Sequence, residues 1–129
     1  MAVKKQIRLE YIVNCSPKVL FNRLSTAVGL TEWFADDVRI RGNHFTFIWG
    51  KVSQIAEKII HRENRLVRFQ WIGDEFDKAD SYFEFLINQD DLTNDVSLTI
   101  IDFTEEDEEI ETKSLWDTQI AKLKHILGS

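Results

Sequence analysis

The sequence predicts an α+β domain, a curved antiparallel β-sheet of about seven strands wrapped around one long C-terminal helix. Three observations carry this prediction. Apolar residues alternate with period two from Val38 onward, glycine-bearing turns cut that stretch into successive hairpins, and the spacing changes to three and four residues near the C-terminus. Strands that follow one another as hairpins, with helices kept apart from them, fit an antiparallel sheet.

The elements follow in order. Residues 3–14 place Ile7, Leu9, Tyr11 and Val13 on one face and Gln6, Arg8 and Glu10 on the other, which predicts a strand buried on one side. "CSPKVLFNRL" then starts a short helix, with Ser16 as N-cap and Pro17 at the first helical position, where a missing N–H costs nothing. A second short helix is expected in "STAVGLTEWF", ending near Phe34. Gly42-Asn43 and Gly50-Lys51 suit two-residue hairpin loops, which need positive φ at the first position. Those turns fix registers. Ile40 should face Phe45, Val38 should face Phe47, Phe47 should face Gln54, and Phe45 should face Ala56.

Across the weaker turn at Glu63-Asn64, Lys58 should oppose Phe69 and Ala56 should oppose Trp71, with a bulge near Ile59-Ile60 where two apolar residues adjoin. One face then collects Phe45, Phe47, Trp49, Val52, Ala56, Val67, Phe69 and Trp71. The strands "SYFEFLINQ" and "VSLTIIDF" follow, the first adding Phe83, Phe85 and Ile87 to one face. Thr104 and Asp107 resemble a capping box for the last helix, whose stripe is Leu115, Trp116, Ile120, Leu123, Ile126 and Leu127, with Gly128 as its stop.

At 129 residues, with no repeat, linker or low-complexity segment, the chain reads as a single domain over 1–129. Net charge of −6 argues against a nucleic-acid backbone as partner. One cysteine, Cys15, permits no internal disulfide and fits a cytoplasmic location. "MAVKKQIRLEY" lacks the apolar core of a signal peptide, and no run of apolar residues is long enough to span a membrane. His44, His61 and His125 are dispersed, so no metal site or cofactor is expected.

The motifs "SPKVLFNRLSTAVGLTEWF", "GNHFTFIWG", "RLVRFQW" and the closing helix with "LW" occur in an order that resembles the START-like (SRPBCC) superfamily of helix-grip folds. Within it the chain is similar to the branch of the C-terminal domain of the activator of the 90-kDa heat-shock chaperone ATPase. The resemblance covers nearly the whole chain. It departs from the branch at "HREN", where a proline-bearing turn is usual, and at "EEDEEIETKSLW", where a glycine-rich entry to the last helix is usual. What the resemblance implies is a cavity between sheet and C-terminal helix, used in many members for a lipid-like or aromatic ligand. Some members are cyclases, others carriers, so the fold alone does not give the function.

The expected ligand-binding wall is aromatic: Trp33, Phe34, Phe47, Trp49, Phe69, Trp71, Phe83, Phe85 and Trp116, with Ile120 on the facing helix. Taken singly, each is ordinarily plain core; it is the group that points to a pocket. Gln54 and Lys58 share the aromatic face by register and are the expected polar handles, unless the strand end is exposed there. Asp36-Asp37 is either an acid/base pair at the cavity mouth or a helix-end cap. Seven carboxylates from Asp102 to Glu111 are either a solvated helix start or a docking surface for a basic protein partner.

With no nucleophile elbow, phosphate loop or dinucleotide fingerprint, the reading is a non-catalytic module that holds a small hydrophobic or lipid-like ligand. A chaperone-ATPase cofactor or protein-interaction domain is the alternative from the resemblance. A cyclase- or hydrolase-type enzyme is the third, and would need Lys58 or Asp36 inside the pocket.

Overall fold

The computed structural model describes residues 4–129. β1 spans Lys4–Val13, and residue 3, where the strand was expected to start, lies outside the described residues. α1 (Pro17–Ser25) and α2 (Ala27–Thr31) follow, then β2 (Asp37–Arg41), β3 (His44–Trp49), β4 (Val52–Arg62), β5 (Leu66–Trp71), β6 (Tyr82–Gln89) and β7 (Val96–Glu105). A single 3₁₀ turn, Glu106–Glu108, leads into α3 (Glu109–Leu127). All seven strands form one antiparallel sheet in the order β1-β7-β6-β5-β4-β3-β2.

The hairpin registers are those the turns dictate. Ile40 pairs with Phe45, Val38 with Phe47, Phe47 with Gln54, Phe45 with Ala56, Ala56 with Trp71 and Lys58 with Phe69. Gly42 and Gly50 take φ of 62° and 57°, the left-handed conformation that only glycine adopts freely. The β4–β5 ladder slips between Lys58 and Ile60, so the bulge falls on Ile59.

α1 begins as its sequence dictates. Ser16 is extended, its hydroxyl accepts from the Val19 N–H (3.2 Å), and Pro17 opens the helix. Ser16→Ala should therefore lower stability by about 1 kcal/mol in a urea titration, through a shifted midpoint at unchanged slope.

α3 starts differently from expectation. Thr104 stays in β7, and its hydroxyl bonds that of Thr112 (2.8 Å) instead of capping the helix, so no capping box forms. Only Trp116, Ile120 and Leu123 of the predicted stripe are buried; Leu115 is 60% exposed and Ile126 is 36% exposed. The sheet meets one narrow line of the helix. At the other end Gly128 adopts the left-handed conformation, and the Ser129 N–H reaches Lys124 O (2.7 Å). Tyr11 of β1 donates its hydroxyl to Asp117 Oδ1 on α3 (2.6 Å), where burial and that acceptor hold it above the usual tyrosine range.

Inward-facing residues of all seven strands and the buried line of α3 make one core with α1 and α2. The outward face is not uniformly solvated. Gln70 and Glu84 are buried there, Glu84 accepting from Arg68 Nε (2.8 Å) while the guanidinium lies 4.2 Å over the Tyr82 ring.

Candidate functional site

Phe34 organises the space between sheet and helix. The chain leaves α2 in a turn and delivers this ring among Trp33, Phe47, Trp49, Phe83, Phe85 and Trp116, with centroids 5.1–6.2 Å away. Such separations are the ordinary packing distances of aromatic pairs. Its carbonyl accepts from Trp49 Nε1 (2.8 Å) and from Gln119 Nε2 (3.1 Å), so one peptide group ties α2's exit to β3 and α3. The middle of the expected cavity is thus occupied by protein.

One opening at the rim is a cleft of about 320 Å³; a second, of about 400 Å³ and also lined by Asp36, adjoins it along Phe34, Trp49, Leu115 and Gln119. Phe34, Trp49, Trp71 and Trp116 form the aromatic walls of the first, Thr112, Leu115 and Gln119 of α3 form its lip, and Asp102 of β7 faces it. Three of the four tryptophans have their N–H bound: Trp33 to Arg23 O, Trp49 to Phe34 O and Trp116 to Asp102 Oδ2 (all 2.8 Å). Among the described residues the Trp71 N–H has no protein acceptor.

Asp102 is the polar centre of the cleft. Its Oδ1 accepts from the Phe103 N–H (2.8 Å) and its Oδ2 from Trp116. Burial raises its pKa above the usual carboxylate value, while those two N–H donors and the field of Lys4 pull the other way. No cation lies within ion-pair distance of it among the described residues.

A seven-stranded antiparallel sheet gripping a C-terminal helix is a fold shared with known proteins. The START-like superfamily domain model matches residues 1–129. The chain belongs to the START-like superfamily. A Bacteroides fragilis protein solved in solution is 37% identical to this START-like chain, with TM-score 0.69, covering 98% of this chain and 93% of that one. The Aha1 dimer from Colwellia psychrerythraea superposes with TM-score 0.78 at 17% identity, covering 93% of each chain. A Mesorhizobium loti protein does so with TM-score 0.78 at 15% identity, covering 96% and 97%. The last two likenesses are of fold. Among curated proteins no sequence matches the chain.

In this START-like domain the predicted site residues separate into three groups. Phe34, Trp49, Trp71 and Trp116 line the cleft together. Trp33, Phe47, Phe69, Phe83, Phe85 and Ile120 are buried behind it as core and reach no part of it. Gln54 and Lys58 are elsewhere. Gln54 pairs with Phe47 on the inward face, but its side chain is exposed, as is Val52 beside it at 59%, because the sheet end there is uncovered. Lys58 puts its ammonium 5.5 Å over the Phe45 ring and opens toward a separate groove against α1, with Lys18, Arg23 and His61.

Asp36 accepts from the Gly50 N–H (2.7 Å) and Asp37 from the Val38 N–H (2.9 Å), so this pair braces a turn and a strand start. Cys15 is half-buried, and burial raises its thiol pKa, which keeps it poorly nucleophilic at neutral pH. In the acidic run, Glu109 bonds both Lys5 and Lys113, which hold its carboxyl below the usual range. Glu105, Asp107 and Glu108 bring carboxylate oxygens within 4.8 Å of one another at the surface. No helix among the described residues is long and apolar enough to cross a membrane.

Sequence reasoning placed Asp102 only in the acidic run and missed Thr112 and Gln119. For Asp102 a signal was present. It continues the inward series Val96, Leu98, Ile100, so parity alone places an acid on the buried face.

Proposed function

We propose that this START-like domain is a non-catalytic binding module that holds a small hydrophobic ligand in the rim cleft between sheet and α3. One observation carries the reading: half-exposed Trp49 and Trp71 and the exposed Leu115 border an opening beside the packed core, with Phe34 and Trp116 buried at its back. Open apolar concavities with a few converging polar groups are the usual form of small-molecule sites. Leu115 adds to this, since this exposed apolar side chain lines the cleft and covers nothing of the core. Neither candidate named for the enzyme reading lines this cleft: Asp36 is braced at a turn and Lys58 opens on another groove.

Native mass spectrometry of the purified protein, together with titration of the uncharged probe N-phenyl-naphthylamine, tests the proposal. One probe per chain should bind. Leu115→Glu should weaken it by about tenfold or more, the loss expected on replacing apolar contact by a hydrated charge, at unchanged melting temperature. Probe binding that Leu115→Glu leaves untouched, or no binding of probe or co-purified ligand, overturns it.

A further inference from the structure

We infer that the rim cleft takes an alkylated ammonium group, held over tryptophan faces and opposite the Asp102 carboxylate. This rests on the cleft being the ligand site and names the class of ligand. Aromatic rings carry negative charge on their faces, so a desolvated organic cation is attracted to them, most strongly to tryptophan. Trp49 and Trp71, both half-exposed, stand at the opening with centroids 6.5 Å apart, and the buried Trp116 lines the cleft behind them.

The second observation is Asp102. A half-buried carboxylate bordered by rings, with no cation within ion-pair distance, is an uncompensated charge that a neutral apolar ligand would desolvate further. A cationic ligand removes that cost instead of adding to it. Lys4, whose field reaches Asp102, has its ammonium 5.9 Å over the Phe76 ring and does not pair with the acid.

The third is the acidic run. Thr112, on the lip, directly follows Glu111, so the acidic segment Glu105 to Glu111 leads into the cleft's helix without lining the cleft itself. Their field favours approach of a cation and opposes that of an anion, with Lys5 and Lys113 offsetting part of it at Glu109. An alkylated nitrogen suits this site better than a primary ammonium, which needs three acceptors. Asp102 has already spent part of its accepting capacity on Trp116 and Phe103.

The test titrates the whole chain with choline and with its uncharged carbon isostere, in which a tert-butyl group replaces trimethylammonium, read by tryptophan fluorescence. Choline should bind at least tenfold more tightly than the isostere, and Asp102→Asn should abolish the preference. Trp71→Leu, at a half-exposed ring, should do the same and serves if the Asp102 variant does not fold. Equal affinity for the two probes in the wild type overturns the cation assignment while leaving the apolar cleft standing. Binding of neither, with no N-phenyl-naphthylamine binding, removes both. Co-sedimentation with phosphatidylcholine vesicles, set beside the choline titration, separates a lipid-borne ammonium from a free one.

Discussion

Phe83→Ala should destabilise the domain by about 3–5 kcal/mol and lower its melting temperature by roughly 10–20 °C. Phe83 is 1% exposed and its ring lies within packing distance of Phe34, Phe47, Phe69, Trp71, Phe85 and Trp116. Deleting it removes the transfer free energy of a buried aromatic and leaves a void, because neighbours fixed on three strands, one turn and α3 cannot all close in. Leu92→Ala is the control. That residue is 94% exposed in the β6–β7 turn, and its loss should stay within about 0.5 kcal/mol. Calorimetry on the two variants checks the pair, and a loss below about 1.5 kcal/mol for Phe83→Ala would mean that the sheet and helix can collapse onto the space.

Gly29→Ala is the second large effect, and its sign is opposite to the usual one. Alanine normally stabilises a helix relative to glycine by about 1 kcal/mol. Here a β-carbon would lie 2.4 Å from Asn22 O and 2.7 Å from Arg23 Cα, both backbone atoms of α1. Backbone cannot rotate away as a side chain can, so α2 must lift off α1. The Thr26 hydroxyl, which accepts from the Gly29 N–H and donates to Asn22 O, would lose its geometry as well. Overpacking costs of about 3 kcal/mol exceed the propensity gain. Because α2 leads directly to Phe34, the same variant should also weaken binding of an apolar probe in the cleft. A Gly29→Ala protein with a raised melting temperature would show that the two helices are not held at this distance in solution.

Much of the sheet was legible because two short glycine turns leave little choice. Once Gly42-Asn43 and Gly50-Lys51 are two-residue loops, each pairing across β2, β3 and β4 follows by counting. Ile59-Ile60 announced the bulge, since two adjacent apolar residues cannot both face inward without one. The helix entry was illegible for a different reason. Thr104 and Asp107 carry the local signature of a cap, but tertiary pairing with β1 keeps Thr104 extended as far as its bond to Thr112.

The site was only partly readable. Periodicity gives the face of a side chain but not what covers it, so Gln54 and Phe47 share a face while one is exposed and the other buried. Nor does pattern reveal that Phe34, arriving from a turn, fills the middle of the sheet's concavity. Asp102 was hidden by its company, since an acid beside six others reads as part of a solvated run.

The pairing of β1 with β7 sets the order in which this chain can be finished during synthesis. Lys4 to Val13 find their partners only in Val96 to Glu105, so the first strand emerges from the ribosome long before its neighbour exists. Until then β1 is an unpaired edge with an apolar face, the kind of segment that recruits foreign strands and holdase chaperones. Local hairpins from β2 to β5 can form at once, whereas closure waits for the last quarter of the chain. Circular permutation that joins the two chain ends and opens the chain between β1 and α1 would place β1 after α3, much nearer β7 in sequence, and should speed refolding.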